Sequence, residues 1–401
     1  MNDFFVKVGK EKIKIDKRTF LVLLDLSPIK QYVSYQNAVA INEIKFADLK
    51  ELSSKANIPY PLFFATKTII DIHIKDKAKS LFEKLPSKTE MQLNSRGKMR
   101  LEDIELIVKD LGRKQEFLKN RILTTSKDNS FVGLVAKKLK EKKQNYELAD
   151  DIRSRLGVDL SVIRKISKED VLQYLCDKSE EQGVLVSFSS YDYMPQNIDK
   201  ELGVSGFCVK DKKFPYVFIN TRDGDENPKI LETSGRQIFT LVAMLVCIAM
   251  NKFIFSTKKE QTKSDETKKI FSIVGELLIP KKDAESITIS SLEDLKEGAR
   301  FFKVTPSMLL VRLRELRLID KPTADRFRET LREEIKKVSS GHLRRPLQIT
   351  GYSKYNGTRF SREVVRAHAG GKISAEEVRN VLFRKGKMDP RLFQEYSEKF
   401  K

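Results

Sequence analysis

The chain has 401 residues, room for two or three domains, and its 40 % hydrophobic content with 24 Phe and 11 Tyr excludes a disordered polymer. Its 77 Lys and Arg against 56 Asp and Glu leave a net charge of +21, which favours anionic partners and says nothing about fold. Three scattered cysteines, Cys176, Cys208 and Cys247, exclude a disulfide framework and a Cys-rich zinc module, and fit a reducing compartment.

The first residues alternate Val6 and Val8 before Gly9, then Ile13 and Ile15, the pattern of a short hairpin. Helical spacing follows at Phe20, Leu23 and Leu24, at Ser27-Pro28 as N-cap and first helical residue, and at Phe46, Leu49 and Leu52. This predicts a small all-helical N-terminal unit over 1–66. The beginning is charged and lacks an apolar signal-peptide core, so none is expected. Residues 67–145 read as linker and helical connector. Residues 77–99 are Lys-rich with Pro86 and Gly97, Leu101 to Arg121 forms an amphipathic helix, and six lysines between Ser126 and Gln144 read as a solvated face.

From Tyr146 the pattern sharpens. A helix over 146–156 should end at Gly157, and one over 168–182 should begin behind Ser167 with Asp170 completing the cap. Strands are expected at 184–189, 204–210 and 216–220, the last two as a hairpin. After an acidic turn with Asp223, Asp225 and Glu226 come a helix over 236–250, a charged loop 256–266, and a helix stopping at Pro280. Helices resume at 291–302 and at 306–318 behind Thr305-Pro306, and the last eighty residues are helical and basic. The fold class expected is α+β, mostly helical, with a small three-stranded sheet packed on helices. The longest apolar stretch, Ile238 to Met250, falls short of the roughly 20 residues of a membrane span, so no membrane partner and a cytoplasmic location are expected.

Several of these segments resemble the ImmA/IrrE-type zinc metallopeptidase family, in the subgroup that carries an XRE-like helix-turn-helix. GVSGFCVKDKKFPYVFIN (203–220), RQIFTLVAMLVCIAM (236–250) and ETKKIFSIVGELLIP (266–280) carry the likeness. It continues in Phe302-Lys303-Val304-Thr305, Arg312-Leu313 and Leu316. Upstream, SFVGLVA (130–136), IRSRLGV (152–158) and EEQGVLV (180–186) are similar to the larger fusions, and 46–65 resembles the end of their DNA-binding module. The resemblance implies a metallopeptidase domain over 146–320 and a basic helical extension over 321–401.

The family's H-E-x-x-H places two imidazoles on one helix face around Zn²⁺, with the Glu as general base. Here those positions read Ala243-Met244-Leu245-Val246-Cys247, and the third ligand position falls at Thr267, beside Glu266. The implied reading is a pseudo-peptidase without zinc or other cofactor. The implied role is regulation in stress response, phage or mobile-element control, or toxin–antitoxin pairs, by binding protein or nucleic acid. The alternatives are a peptidase with a rebuilt zinc site that cleaves a repressor, and a DNA-binding transcriptional regulator. A protein partner is expected, with the hairpin 204–220 as the edge that would take an extended peptide. Nucleic acid is the other candidate. Residues 321–401 hold 20 Lys and Arg against 10 Asp and Glu, ten of the 21 net positive charges. The candidate contacts are Arg344, Arg345, Lys354, Arg359, Arg362 and Arg366, with Lys372 beyond them and Tyr352, Tyr355 and Phe360 interleaved for base stacking.

Overall fold

The computed structural model describes residues 3–25, 29, 32–56, 58–73, 104–190, 193–198, 204–221, 232–252, 255–257, 265–337, 347–383 and 389–401. The Ser27-Pro28 cap, the Lys-rich segment 77–99, the acidic turn at Asp223, Asp225 and Glu226, and Arg344 and Arg345 lie outside the described residues.

The expected hairpin is present as β1 (Asp3–Val8) and β2 (Glu11–Asp16), antiparallel with Val6 opposite Ile13. Gly9 turns it with φ +61, in the left-handed region that glycine enters freely. Helices α1 (Lys17–Asp25), α2 (Val33–Ile41) and α3 (Phe46–Lys55) follow. The unit is not all-helical, however. Asn42 takes a left-handed conformation after α2 and aims β3 (Glu43–Lys45) alongside β1, in parallel, giving the sheet order β2-β1-β3. Three residues are too short to show a strand period, which hid β3 in the sequence. Phe4, Val6, Phe20, Leu49, Leu52 and Phe63 fill the core under this sheet, with the Phe4 and Phe20 rings stacked at 4.1 Å.

A second body is built on a four-stranded sheet. Leading into it are α4 (Glu105–Phe117), α5 (Ala136–Lys140), α6 (Asn145–Leu156), α7 (Leu160–Lys165) and α8 (Lys168–Glu181). The read caps are in place: Gly157 is left-handed, and Ser167 Oγ accepts the Asp170 N–H at 3.1 Å. The three expected strands form as β4 (Leu185–Phe188), β5 (Val204–Val209) and β6 (Tyr216–Ile219). A fourth, β7 (Phe255–Thr257), occupies the start of the supposed charged loop. The order is β4-β6-β5-β7, with β4 parallel to β6 and the other pairs antiparallel. The hairpin 204–220 is therefore not an edge, since β6 lies between β4 and β5, and β5 between β6 and β7. That removes it as a site for strand addition.

Every residue of β5 and β6 is buried because both faces of the sheet are covered. One face, with Val186, Cys208, Val217 and Ile219, packs on α9 (Glu232–Ala249) and, around it, α8 and α10 (Asp265–Leu278). A Cβ at Gly206 would meet Phe218 O at 2.6 Å and Thr240 Cγ2 at 2.7 Å, so only glycine lets α9 approach β5 this closely. The short α11 (Lys281–Glu285), then α12 (Leu292–Phe301), α13 (Pro306–Glu315) and α14 (Lys321–Lys337) extend this core. Thr305 Oγ1 caps α13 by accepting the Met308 N–H at 3.1 Å.

The other face, with Leu185, Phe207, Val209, Tyr216 and Phe218, packs against α4 and the C-terminal helices. These are α15 (Gln348–Asn356), α16 (Thr358–Ala369), α17 (Ala375–Leu382) and α18 (Pro390–Phe400). Residues 348–400 thus form the second layer of the sheet's own sandwich, sharing a core with residues 104–122 of the expected connector. The architecture is α+β and mostly helical. Among the described residues no helix is long and apolar enough to cross a membrane.

Candidate functional site

The helix that the resemblance sets against a metal-binding helix, and that was expected to lack its ligands, is α9. Ala243, Met244, Leu245, Val246 and Cys247 are all at most 1 % exposed, and hydrocarbon surrounds them. Cys208 on β5 donates to Met244 O at 3.6 Å, and burial beside Cys247 pushes the Cys208 thiol well up. Thr267 on α10 is buried too, and the Glu266 side chain lies outside the described residues. Zinc takes thiolate, imidazole and carboxylate ligands, and a catalytic site keeps an open position. Two neighbouring buried thiols, Cys208 and Cys247, in an apolar layer with no imidazole or carboxylate beside them among the described residues do not fit that ion. Among the described residues no group of three or more His, Cys, Asp or Glu is placed to hold a metal.

The segments around Glu276 and Arg312 do converge, in a structural role. Arg312 of α13 pairs with Glu276 of α10, donates from Nε to Ile279 O at 3.2 Å, and from Nη1 to Glu315 Oε2 at 2.8 Å. Glu276 Oε1 also accepts the Lys281 N–H at 3.2 Å, fastening the turn at Pro280. Arg312 is 4 % exposed, so this is an ion pair inside the core, joining the two helices that carry the Leu277-Leu278-Ile279-Pro280 and Arg312-Leu313 segments.

The basic C-terminal residues divide. Lys354, Arg362, Arg366 and Lys372 are exposed and have no ion-pair partner among the described residues. Arg362 and Arg366 lie one turn apart on the outer face of α16, about 6 Å along its axis. Arg359 is engaged inside the protein instead. Its backbone N–H donates to Glu180 Oε2 at 2.8 Å, and its guanidinium donates to Glu180 O. The aromatic residues do not form a stacking platform. Tyr355 and Phe360 are at most 1 % exposed, and Tyr352 packs edge-on against Tyr193 and Phe383.

Beneath this surface lies a polar cluster that the sequence did not reveal. Lys114 of α4 is 1 % exposed, with its ammonium 3.4 Å from Asp110, 2.8 Å from Asn356 Oδ1 and 4.0 Å above the Tyr355 ring. Tyr355 Oη donates to Asp110 at 2.8 Å. Asn356 Nδ2 donates to Leu382 O and to Tyr396 Oη, and Tyr396 Oη lies 2.6 Å from Ser361 Oγ. Burial pushes the Tyr396 phenol up. The cluster holds α4, α15, α16, α17 and α18 in one arrangement.

Glu180, near the end of α8, closes the sheet edge. Its carboxylate accepts N–H groups from Val186 on β4 and from Arg359 at the start of α16, where Gly357 has no side chain to cap the helix. Gly357 has φ +80, and a Cβ there would lie 2.1 Å from Val186 O, so the chain can turn against β4 only as glycine. Burial pushes the Glu180 carboxyl from 4.5 up to about 7, against the pull of those N–H donors.

Compared with protein-family models, with curated proteins and with solved structures, the chain matches none.

Proposed function

We propose that this protein is a non-catalytic regulator that acts by binding, and that its ligand is duplex nucleic acid contacted through the phosphate backbone. The observation that carries this reading is the outer face of α16, where Arg362 and Arg366 face solvent without an ion-pair partner among the described residues, as do Lys354 before and Lys372 after them in sequence. The chain's charge of +21 supplies the long-range attraction. Because Tyr355 and Phe360 are core residues, contact is to phosphate rather than to stacked bases, and sequence preference is weak. The filled apolar layer around Ala243 and Cys247 supports the non-catalytic half. A role in stress response, mobile-element control or toxin–antitoxin regulation belongs to the same proposal, and rests on the motif residues quoted above.

The test is the salt dependence of binding to a 20-base-pair duplex. Replacing Arg362 and Arg366 by Ala removes two phosphate contacts, and the slope of log K against log salt becomes shallower by about 2. An unchanged slope overturns the assignment to α16. Elemental analysis of the purified chain tests the other half. The expected result is less than stoichiometric zinc, with no change in Cys247→Ala. Stoichiometric zinc lost in that variant would establish a rebuilt peptidase centre instead.

A further inference from the structure

We infer that the free edge of β2 is a docking site for an extended acidic segment of a partner protein. This goes beyond nucleic-acid binding at α16 and involves a different part of the chain.

The two-residue turn at Gly9 and Lys10 fixes which backbone groups point where. Val8 opposite Glu11, Val6 opposite Ile13 and Phe4 opposite Ile15 exchange the ladder hydrogen bonds. The alternate residues turn their backbone groups outward. On β1 these reach β3, as the Phe5 N–H donating to Asn42 O shows. On β2 they belong to Lys12 and Lys14, and face away from the sheet. Their two N–H and two C=O groups have no partner among the described residues. The larger sheet treats its β4 edge differently. There the Val186 N–H is taken by Glu180, and Ser187 Oγ donates to Tyr355 O at 2.6 Å.

Side chains along β2 set what can be added. On the solvent face, Lys12 pairs with Glu43 and Lys14 with Asp3, yet the two lysines remain 54 % and 64 % exposed, each ammonium with N–H donors to spare. On the opposite face Ile13 and Val8 stand 43 % and 41 % exposed near the hairpin tip, past the helices that cover Phe4 and Val6. A strand added here would set its residues opposite Lys12 and Lys14 beside two ammonium groups, and the residue between them beside Ile13. The matching pattern is acidic, apolar, acidic. A second copy pairing edge to edge would bring Lys12 and Lys14 against their own copies, and like charges directly opposite repel. Self-pairing is thus disfavoured, and the edge suits a strand of opposite charge.

The experiment uses the full chain and two labelled peptides, one alternating Glu with Val and one alternating Lys with Val. Wild type is expected to bind the Glu peptide at least tenfold more tightly. Lys14→Pro removes an outward N–H without touching the ladder to β1, and weakens that binding at least tenfold while the circular dichroism spectrum is kept. Lys12→Glu with Lys14→Glu reverses the peptide preference, which keeps the idea testable should the proline variant misfold. Arg362→Ala with Arg366→Ala retains peptide binding. Equal affinity for both peptides, an unaltered preference in the double Glu variant, loss of peptide binding in the α16 variant, or saturable self-association through β2 would each overturn the proposal.

Discussion

Lys114→Met should lower the stability of the sheet-centred body by about 3–5 kcal/mol, because it leaves a buried carboxylate without its buried cation. Asp110 keeps Tyr355 Oη at 2.8 Å and the more exposed Arg113 at 2.9 Å, which places the effect near the lower end of that range. Asn356 Oδ1 loses its donor as well, and the Tyr355 face loses the cation above it. Methionine nearly conserves the volume, so the loss reports charge and hydrogen bonding rather than a cavity. Adding Asp110→Leu should recover part of the loss, since an ion pair replaced at both ends no longer leaves an unpaired charge. Urea denaturation of the three proteins tests this. A single-variant loss below about 1 kcal/mol, or a double variant less stable than Lys114→Met, would sink it.

Lys114 also shows where the sequence could and could not be read. The periodicity of α4 identified a helix, and caps such as Ser167 with Asp170 and Thr305 with Met308 were legible because their partners lie within three residues. An amphipathic helix is expected to turn its charges to solvent, yet α4 buries Glu105, Asp110 and Lys114. Their partners lie far along the chain: Lys114 meets Asn356 across 242 residues, and Glu180 meets Arg359 across 179. No local pattern encodes such pairs.

The burial of the interleaved aromatic residues was hidden for the same reason. Tyr355 and Phe360 next to arginines look like a stacking surface until the sheet's second face claims them as core. The apolar residues of β6, Tyr216 to Ile219, mark a strand but do not say which strands lie at the edges. Neighbour order is set by the three-residue strand β7 and by the parallel placement of β4 beside β6. That α9 carries no His or Glu over 243–247, by contrast, is a statement about residue identity. Sequence alone suffices for that, and the structure adds that Ala243 and Cys247 are buried.

Replacing Glu180 by Gln should change how stability depends on pH. The native carboxyl titrates at about 7 and the unfolded one at 4.5, so between those values the native state holds a proton that the unfolded chain has released. The stabilisation this group provides is complete below about pH 4.5 and is lost as pH rises through 7. The rise from 4.5 to about 7 corresponds to about 3 kcal/mol. Glutamine resembles the protonated acid and cannot ionise. Relative to wild type, Glu180→Gln should therefore gain about 3 kcal/mol between pH 4.5 and 8, and the difference between the two curves should level off above that. Taking the difference cancels every other titrating group that the two proteins share. The charges facing Glu180 are Arg359 from α16 and Asp177 from its own helix, with Cys176 and Tyr216 nearby. Asp177 adds to the upward shift and Arg359 opposes it, so Asp177→Asn should narrow the window from its upper end. Parallel stability curves for wild type and Glu180→Gln from pH 4.5 to 8 would show that Glu180 keeps an ordinary carboxyl in the folded protein. The clasp between the β4 edge and α16 would then be ionic at every pH in that range.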